Sequence, residues 1–128
     1  MNKTQSELTV ITKSKDLCSY IFTVTQKSPK QFRFTFTSRL QNLALDIIEN
    51  LYRANDTFVV KGDNAAFEKR NSYQHTAMTD LKLLAYFALL ARENGAVTPK
   101  QYEQISLQST ECLNLLGGWI NKDKNRFI

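Results

Sequence analysis

The sequence predicts an all-α protein, an antiparallel up-down-up-down four-helix bundle formed by residues 1–128 as a single domain. Three observations carry that prediction. Apolar residues recur at spacings of three and four through four successive segments, the period of a helix with one buried stripe. The chain holds only four glycines and two prolines, and they cluster between those segments. The links so marked are short, which sets consecutive helices antiparallel and side by side. At 128 residues and 42% hydrophobic, the chain is long enough to bury one core without disulfide or metal support.

Helix one is predicted over residues 12–28, with Leu17, Ile21 and Val24 on its stripe and Cys18 and Phe22 flanking it. Pro29 closes it, because proline disfavours helical geometry at the preceding residue. The next stretch, Phe32-Arg33-Phe34-Thr35-Phe36-Thr37, alternates aromatic with polar residues like a half-buried strand. The alternation soon fails, whereas Phe36 is in phase with Leu40, Leu43, Ile47, Leu51, Ala54 and Phe58. Helix two is therefore predicted over residues 35–60, with Thr35 or Thr37 as its N-cap. Phe32 and Phe34 then belong to the connection, where an aromatic ahead of the cap staples onto the first turn.

Lys61-Gly62-Asp63-Asn64 reads as a C-cap glycine followed by N-cap residues, opening helix three over residues 63–94. Its stripe includes Phe67, Ala77, Leu81, Leu84, Ala88 and Ala91, and Asn94-Gly95 ends it. Thr98 caps helix four, residues 98–121, with Pro99 at the first helical position and Gln101 completing a capping box. Tyr102, Ile105, Ser109, Cys112, Leu116 and Trp119 continue its stripe. Residues 1–7 and 122–128 read as frayed ends.

A search for chemistry finds little. Cys18 and Cys112 sit within helical patterns with no spaced framework and read as buried, reduced thiols. His75 is the only histidine, which excludes a histidine triad, a multi-histidine zinc site and an HExxH helix; it reads as a surface or core-edge residue. Asp46 and Glu49 have the spacing of metal ligands but no clustered companions, and Glu49 suits a pair with Arg53 one turn on. No phosphate-cradling glycine loop or GxSxG is present. The reading is of a non-enzymatic protein with no catalytic residue, metal or cofactor. The N-terminal residues lack a signal-peptide pattern and the longest apolar run, residues 83–91, is far short of a membrane span, so a cytoplasmic protein is expected.

Charge is the unusual feature. The formal net charge is +5, with pI near 9.3. No acidic residue occurs between Asp16 and Asp46, while Lys27, Lys30, Arg33 and Arg39 do. Because the first and third connections of such a bundle share one end, Arg92 and Lys100 are expected beside this cluster, opposed mainly by Glu93 and Glu103. One pole is then basic, with Phe32 and Phe34 next to it. Such a pole either binds phosphates and stacks bases or is a solvated connection whose phenylalanines plug the bundle end. Plugging suits the aromatics better; the basic cluster stays open between the two. The opposite pole mixes Lys13, Lys15, Lys61, Lys69 and Arg70 with Asp16, Asp56, Asp63 and Glu68.

Gly117 and Gly118 precede Trp119 within the phase of helix four. Glycine inside a helix costs up to about 1 kcal/mol against alanine. Either the helix ends there or a neighbouring backbone, in this chain or another subunit, approaches closely. The continued apolar phase at Trp119 and Ile120 favours close packing.

Ser28-Pro29-Lys30-Gln31-Phe32-Arg33-Phe34-Thr35, followed by Arg39-Leu40-Gln41 and Leu45-Asp46-Ile47-Ile48-Glu49, resembles the "FPR..RFT...R...LD..E" stretch of a bacterial four-helix-bundle family. That family comprises the accessory variability determinants of diversity-generating retroelements and the proteins encoded by intervening sequences in 23S ribosomal RNA genes. Leu115-Leu116-Gly117-Gly118-Trp119-Ile120 is similar to its C-terminal "LGGWI" motif, and Gln101-Tyr102-Glu103 and residues 8–17 also fit. The pattern differs at Ser28, where phenylalanine is common, and at Thr37-Ser38, where leucine-glycine is common. For the retroelement members the resemblance implies a non-catalytic, ring-forming homo-oligomer, typically a pentamer, that binds reverse transcriptase and template RNA or an RNA/DNA hybrid to support mutagenic copying. Lys30, Arg33 and Arg39 match the family's arginine positions. The alternatives are a 23S intervening-sequence or other mobile-element bundle, and a protein-interaction scaffold that binds no nucleic acid.

Overall fold

The computed structural model describes residues 3–128, with side chains from Thr9 onward. Four helices, α1 (Lys3–Thr25), α2 (Ser38–Asp56), α3 (Asn64–Glu93) and α4 (Pro99–Phe127), account for nearly all of it, and no strand occurs among the described residues. Each helix packs on its sequence neighbour and α1 packs on α4, which closes the up-down-up-down square. Leu17, Ile21, Leu40, Ile47, Leu51, Leu81, Leu84, Ile105 and Leu116 fill its centre, all at most 1% exposed. Full burial of one such leucine or isoleucine side chain is worth about 1.5–3 kcal/mol, so these stripes drive the association of the helices.

α1 begins well before the predicted Thr12. Val10 and Ile11 are buried and Ser14 lies in phase behind them, so the stripe Val10, Ser14, Leu17, Ile21, Val24 starts earlier than the leucines alone suggest. Part of the stretch expected to fray, from Lys3, is therefore helix; Met1 and Asn2 lie outside the described residues. After Thr25 the backbone relaxes through one hydrogen-bonded turn, Lys27 N–H to Val24 O at 3.1 Å and Ser28 N–H to Thr25 O at 3.2 Å.

The start of α2 departs from expectation. A short 3₁₀ turn, Lys30–Phe32, and a π-helical turn, Arg33–Thr37, lead directly into it. These turns supply carbonyl acceptors to the first amides of α2, so no side-chain cap is needed. Thr37 has helical dihedrals and no cap hydrogen bond, and the Thr35 hydroxyl donates back to the Phe32 carbonyl at 3.4 Å. Neither threonine is an N-cap. Phe32 does staple, its ring centroid 5.8 Å from that of Phe36.

α2 ends at Asp56, four residues before the predicted boundary. Thr57 turns extended, and the chain then alternates: Phe58 is 81% exposed, Val59 buried and Val60 exposed. Phe58 is thus not part of the seam. Gly62, at φ +97°, does not cap α2 but occupies a turn closed by Asp63 N–H to Val60 O. Asp63 caps α3 through Ala66 N–H, and the Thr98–Gln101 capping box of α4 forms as expected.

α4 continues through residues 122–126 to Phe127, where fraying is expected. What holds it is a buried polar cluster. Arg70 on α3 is 6% exposed and forms a bidentate pair with Asp123 on α4, Nε to Oδ2 at 2.8 Å and a second N–H to Oδ1 at 3.0 Å. Gln74 donates to the same carboxylate at 2.8 Å, and the Arg70 guanidinium lies 5.1 Å from the Trp119 ring and 5.8 Å from that of Phe127. Arg70 therefore does not belong to the mixed surface of that pole. Both cysteines are free and buried, and burial raises the thiol pKa of each.

Candidate nucleic-acid interface

The first and third connections meet at one end of the bundle. The Ser28 hydroxyl donates to the Ala96 carbonyl at 2.6 Å, tying the link after α1 to the link between α3 and α4. Gly95, at φ +81°, turns the chain so that the amides of Ala96 and Val97 reach back to the Ala91 carbonyl, which buries both residues under this end.

Lys27, Lys30 and Arg33 lie on the first connection, Arg39 in the first turn of α2, Arg92 in the last turn of α3 and Lys100 in the first turn of α4. All six side chains are exposed, and none takes part in an ion pair among the described residues. Two of the arginines rest on rings instead: Arg39 lies 5.2 Å from the centroid of Phe87, and Arg92 lies 5.8 Å from that of Tyr102. A guanidinium held against a ring keeps its N–H edge for an anion, because the ring consumes none of its donors.

Beside Arg39 is an open groove of about 370 Å³. It is lined by Phe34, Thr35 and Phe36 of the π-helical turn, Ser38, Arg39 and Asn42 of α2, and Phe87 and Leu90 of α3. Its lining has no carboxylate among the described residues. The π-helical turn puts Phe34 outside, at 86% exposure, while Phe32 and Phe36 pack partly against the core. The aromatics thus divide: Phe32 plugs the bundle end and Phe34 does not. Phe87, Ser38 and Asn42 had no signal in the charge pattern. Phe87 keeps the helical spacing between Leu84 and Ala91 and packs partly against the core, whereas its neighbour Tyr86, the ring centroids 6.1 Å apart, stands off that phase and is exposed.

Two turns farther from the pole the surface changes sign. Asp80 on α3 has its carboxyl pKa raised by burial and by the facing Asp46 of α2, and Glu49 is bound to Arg53 at 2.9 Å. Glu49 is thus taken up by Arg53, while Asp46 faces another carboxylate. His75 is exposed.

Gly117 and Gly118 lie within continuous helix, and a Cβ at either position meets nothing within 4 Å. Close packing against the described residues of this chain does not account for them. Trp119 turns inward and is buried beneath Arg70.

No described helix is long and apolar enough to cross a membrane. No family model matches the chain, and no curated protein matches it in sequence. Among solved structures, a protein of unknown function from the S23 ribosomal protein family of Bacteroides thetaiotaomicron VPI-5482 is similar, with a TM-score of 0.74 and 19% identity over 91% of this chain and 98% of that one. At that identity the likeness establishes the fold they share, a bundle spanning nearly the full length of both chains.

Proposed function

We propose that this chain is a non-catalytic accessory protein of a diversity-generating retroelement, which uses its basic pole to hold template RNA and the reverse transcriptase during mutagenic copying. In this reading it acts in the cytoplasm as a homo-oligomer, a pentamer by the resemblance of its motifs. The observation that carries the reading is the set of six exposed cations at one end of the bundle, without ion pairs among the described residues, beside a groove lined in part by aromatic rings. Cations without carboxylate partners exchange bound counterions for phosphates, and flat apolar walls accept bases of any sequence. A second reading, a protein of the 23S intervening-sequence kind, is favoured by the fold shared with the S23 family member.

The test is a titration of single-stranded RNA across a salt series, beside a variant carrying Lys27→Glu, Lys30→Glu, Arg33→Glu and Arg39→Glu whose helicity and melting are checked. The wild type is expected to bind with a log-log salt slope of several units, about −0.7 for each phosphate neutralised. The variant is expected to lose both affinity and slope. Equal binding by both proteins makes the basic cluster a solvated connection and overturns the pole as the RNA surface; no binding by either overturns the nucleic-acid role and leaves the protein-interaction scaffold. A neighbouring reverse-transcriptase gene with a repeated variable target supports the retroelement reading; a location inside a ribosomal RNA gene supports the second.

A further inference from the structure

The groove at the basic pole has a composition that general phosphate attraction does not require. Cations alone bind a polyanion, yet here an exposed phenylalanine on a π-helical turn lines one groove with a ring from another helix. Exposing a phenylalanine forgoes the burial that ordinarily stabilises such a side chain. π-helical turns are uncommon, and they recur at functional sites. Within Arg33–Thr37, Phe34 stands exposed while Phe36 packs partly against the core, and both line the groove together with Phe87.

The polar groups of the groove are few. Arg39, lying over Phe87, supplies a charged N–H fork with no carboxylate partner. The Asn42 amide donates to the Ser38 hydroxyl at 3.3 Å, which fixes its orientation and leaves its oxygen as an acceptor. The volume, about 370 Å³, lies at the small end of the range for ligand pockets. Two turns along the same seam, Asp46 and Asp80 repel a phosphate chain, so a bound strand leaves the groove toward Arg33 and Lys30.

We infer that this groove is a base-binding pocket, taking one unpaired nucleotide of single-stranded RNA with its base stacked on the exposed Phe34 and its phosphate on Arg39, which Phe87 holds in place. The inference rests on the nucleic-acid role proposed above and adds a requirement that charge does not make: the base must be free to leave its stack. A paired base is not.

The experiment uses the full chain with Phe34→Ala, at a side chain exposed enough that the fold is not at stake. Wild type and variant are titrated with a single-stranded RNA and with a duplex of the same length, each across a salt series. The variant is expected to lose single-strand affinity by about 5- to 150-fold, the effect of removing one stacking platform, while its salt slope and its duplex affinity stay as in the wild type. An unchanged single-strand affinity, with the wild type still binding on a steep slope, overturns the pocket and leaves the electrostatic reading standing. Absence of RNA binding by the wild type overturns both. Retained RNA affinity with a lost contact to reverse transcriptase assigns the groove to a protein side chain and also overturns the base pocket.

Discussion

The two ends of this bundle each hold an arginine against aromatic rings, and they differ in everything else. Arg70 lies against the Trp119 and Phe127 rings, buried, with one N–H edge on Asp123, a further N–H on the Thr57 carbonyl, and Gln74 on the same carboxylate. Arg39 lies over Phe87 at the surface, with no carboxylate bound. The ring contact alone therefore decides nothing about an arginine's role. A desolvated guanidinium requires a matched anion from its own chain, and once matched it locks two helices in register. An exposed one keeps its water and its charge for an external anion.

The largest expected effect tests that contrast directly. Arg70→Ala leaves Asp123 buried without its partner and is expected to destabilise the fold by about 3–5 kcal/mol, the cost of breaking a buried pair from one side. Arg39→Ala, at an exposed and unpaired position, is expected to change stability by no more than about 0.5 kcal/mol. Chemical denaturation of both variants measures the difference; comparable losses would erase the distinction between the two ends.

A smaller effect is expected at the glycine pair. Gly118→Ala adds a Cβ into open space on a continuous helix and is expected to stabilise the chain by about 0.5–1 kcal/mol in a thermal melt. Gly117→Leu or Gly118→Leu is expected to lower the mass of the assembly in light scattering, because small residues on an exposed helix face permit close approach of another subunit. An unchanged mass removes the pair from subunit contacts.

The smallest effect belongs to the acidic side of the groove. The Asp80 carboxyl is raised above the usual range, first by burial and then by Asp46, so the folded state holds its proton more tightly than the unfolded chain does. That group thus costs stability as pH rises from the ordinary aspartate range through the raised pKa, and the cost persists at neutral pH. Asp80→Asn is expected to raise the melting temperature slightly at pH 7, by less than about 1 kcal/mol in stability after allowing for its partial exposure to solvent. The gain should vanish below the ordinary aspartate range.

Much of the architecture is legible in the residues. Helix three is bounded to within a residue by Asp63 and Asn94, because capping chemistry is local. The Thr98–Gln101 box places the start of helix four for the same reason. The end of α2 is misjudged because Phe58 happens to keep the helical spacing while Thr57 has already turned extended. The end of α4 is misjudged because a charged tail reads as solvated unless its partner is known. Yet Arg70 and Gln74 sit in phase between Phe67 and Ala77, and Asp123 falls four residues after Trp119, so polar residues at seam positions are the signal that was available.

Of the candidate interface, the cations and the shared end of the two connections follow from sequence and topology. The groove does not, since Phe34 and Phe87 are brought together only by the packing of the π-helical turn on α3. By itself, then, the sequence determines the number, order and phase of the helices and the acid-free run at one end. The tertiary structure alone decides which arginine is spent on the fold and which faces solvent. The physical reason is that helical period states which face a residue occupies, whereas the partner across from it, 53 positions away for Arg70 and Asp123, exists only when the helices have packed.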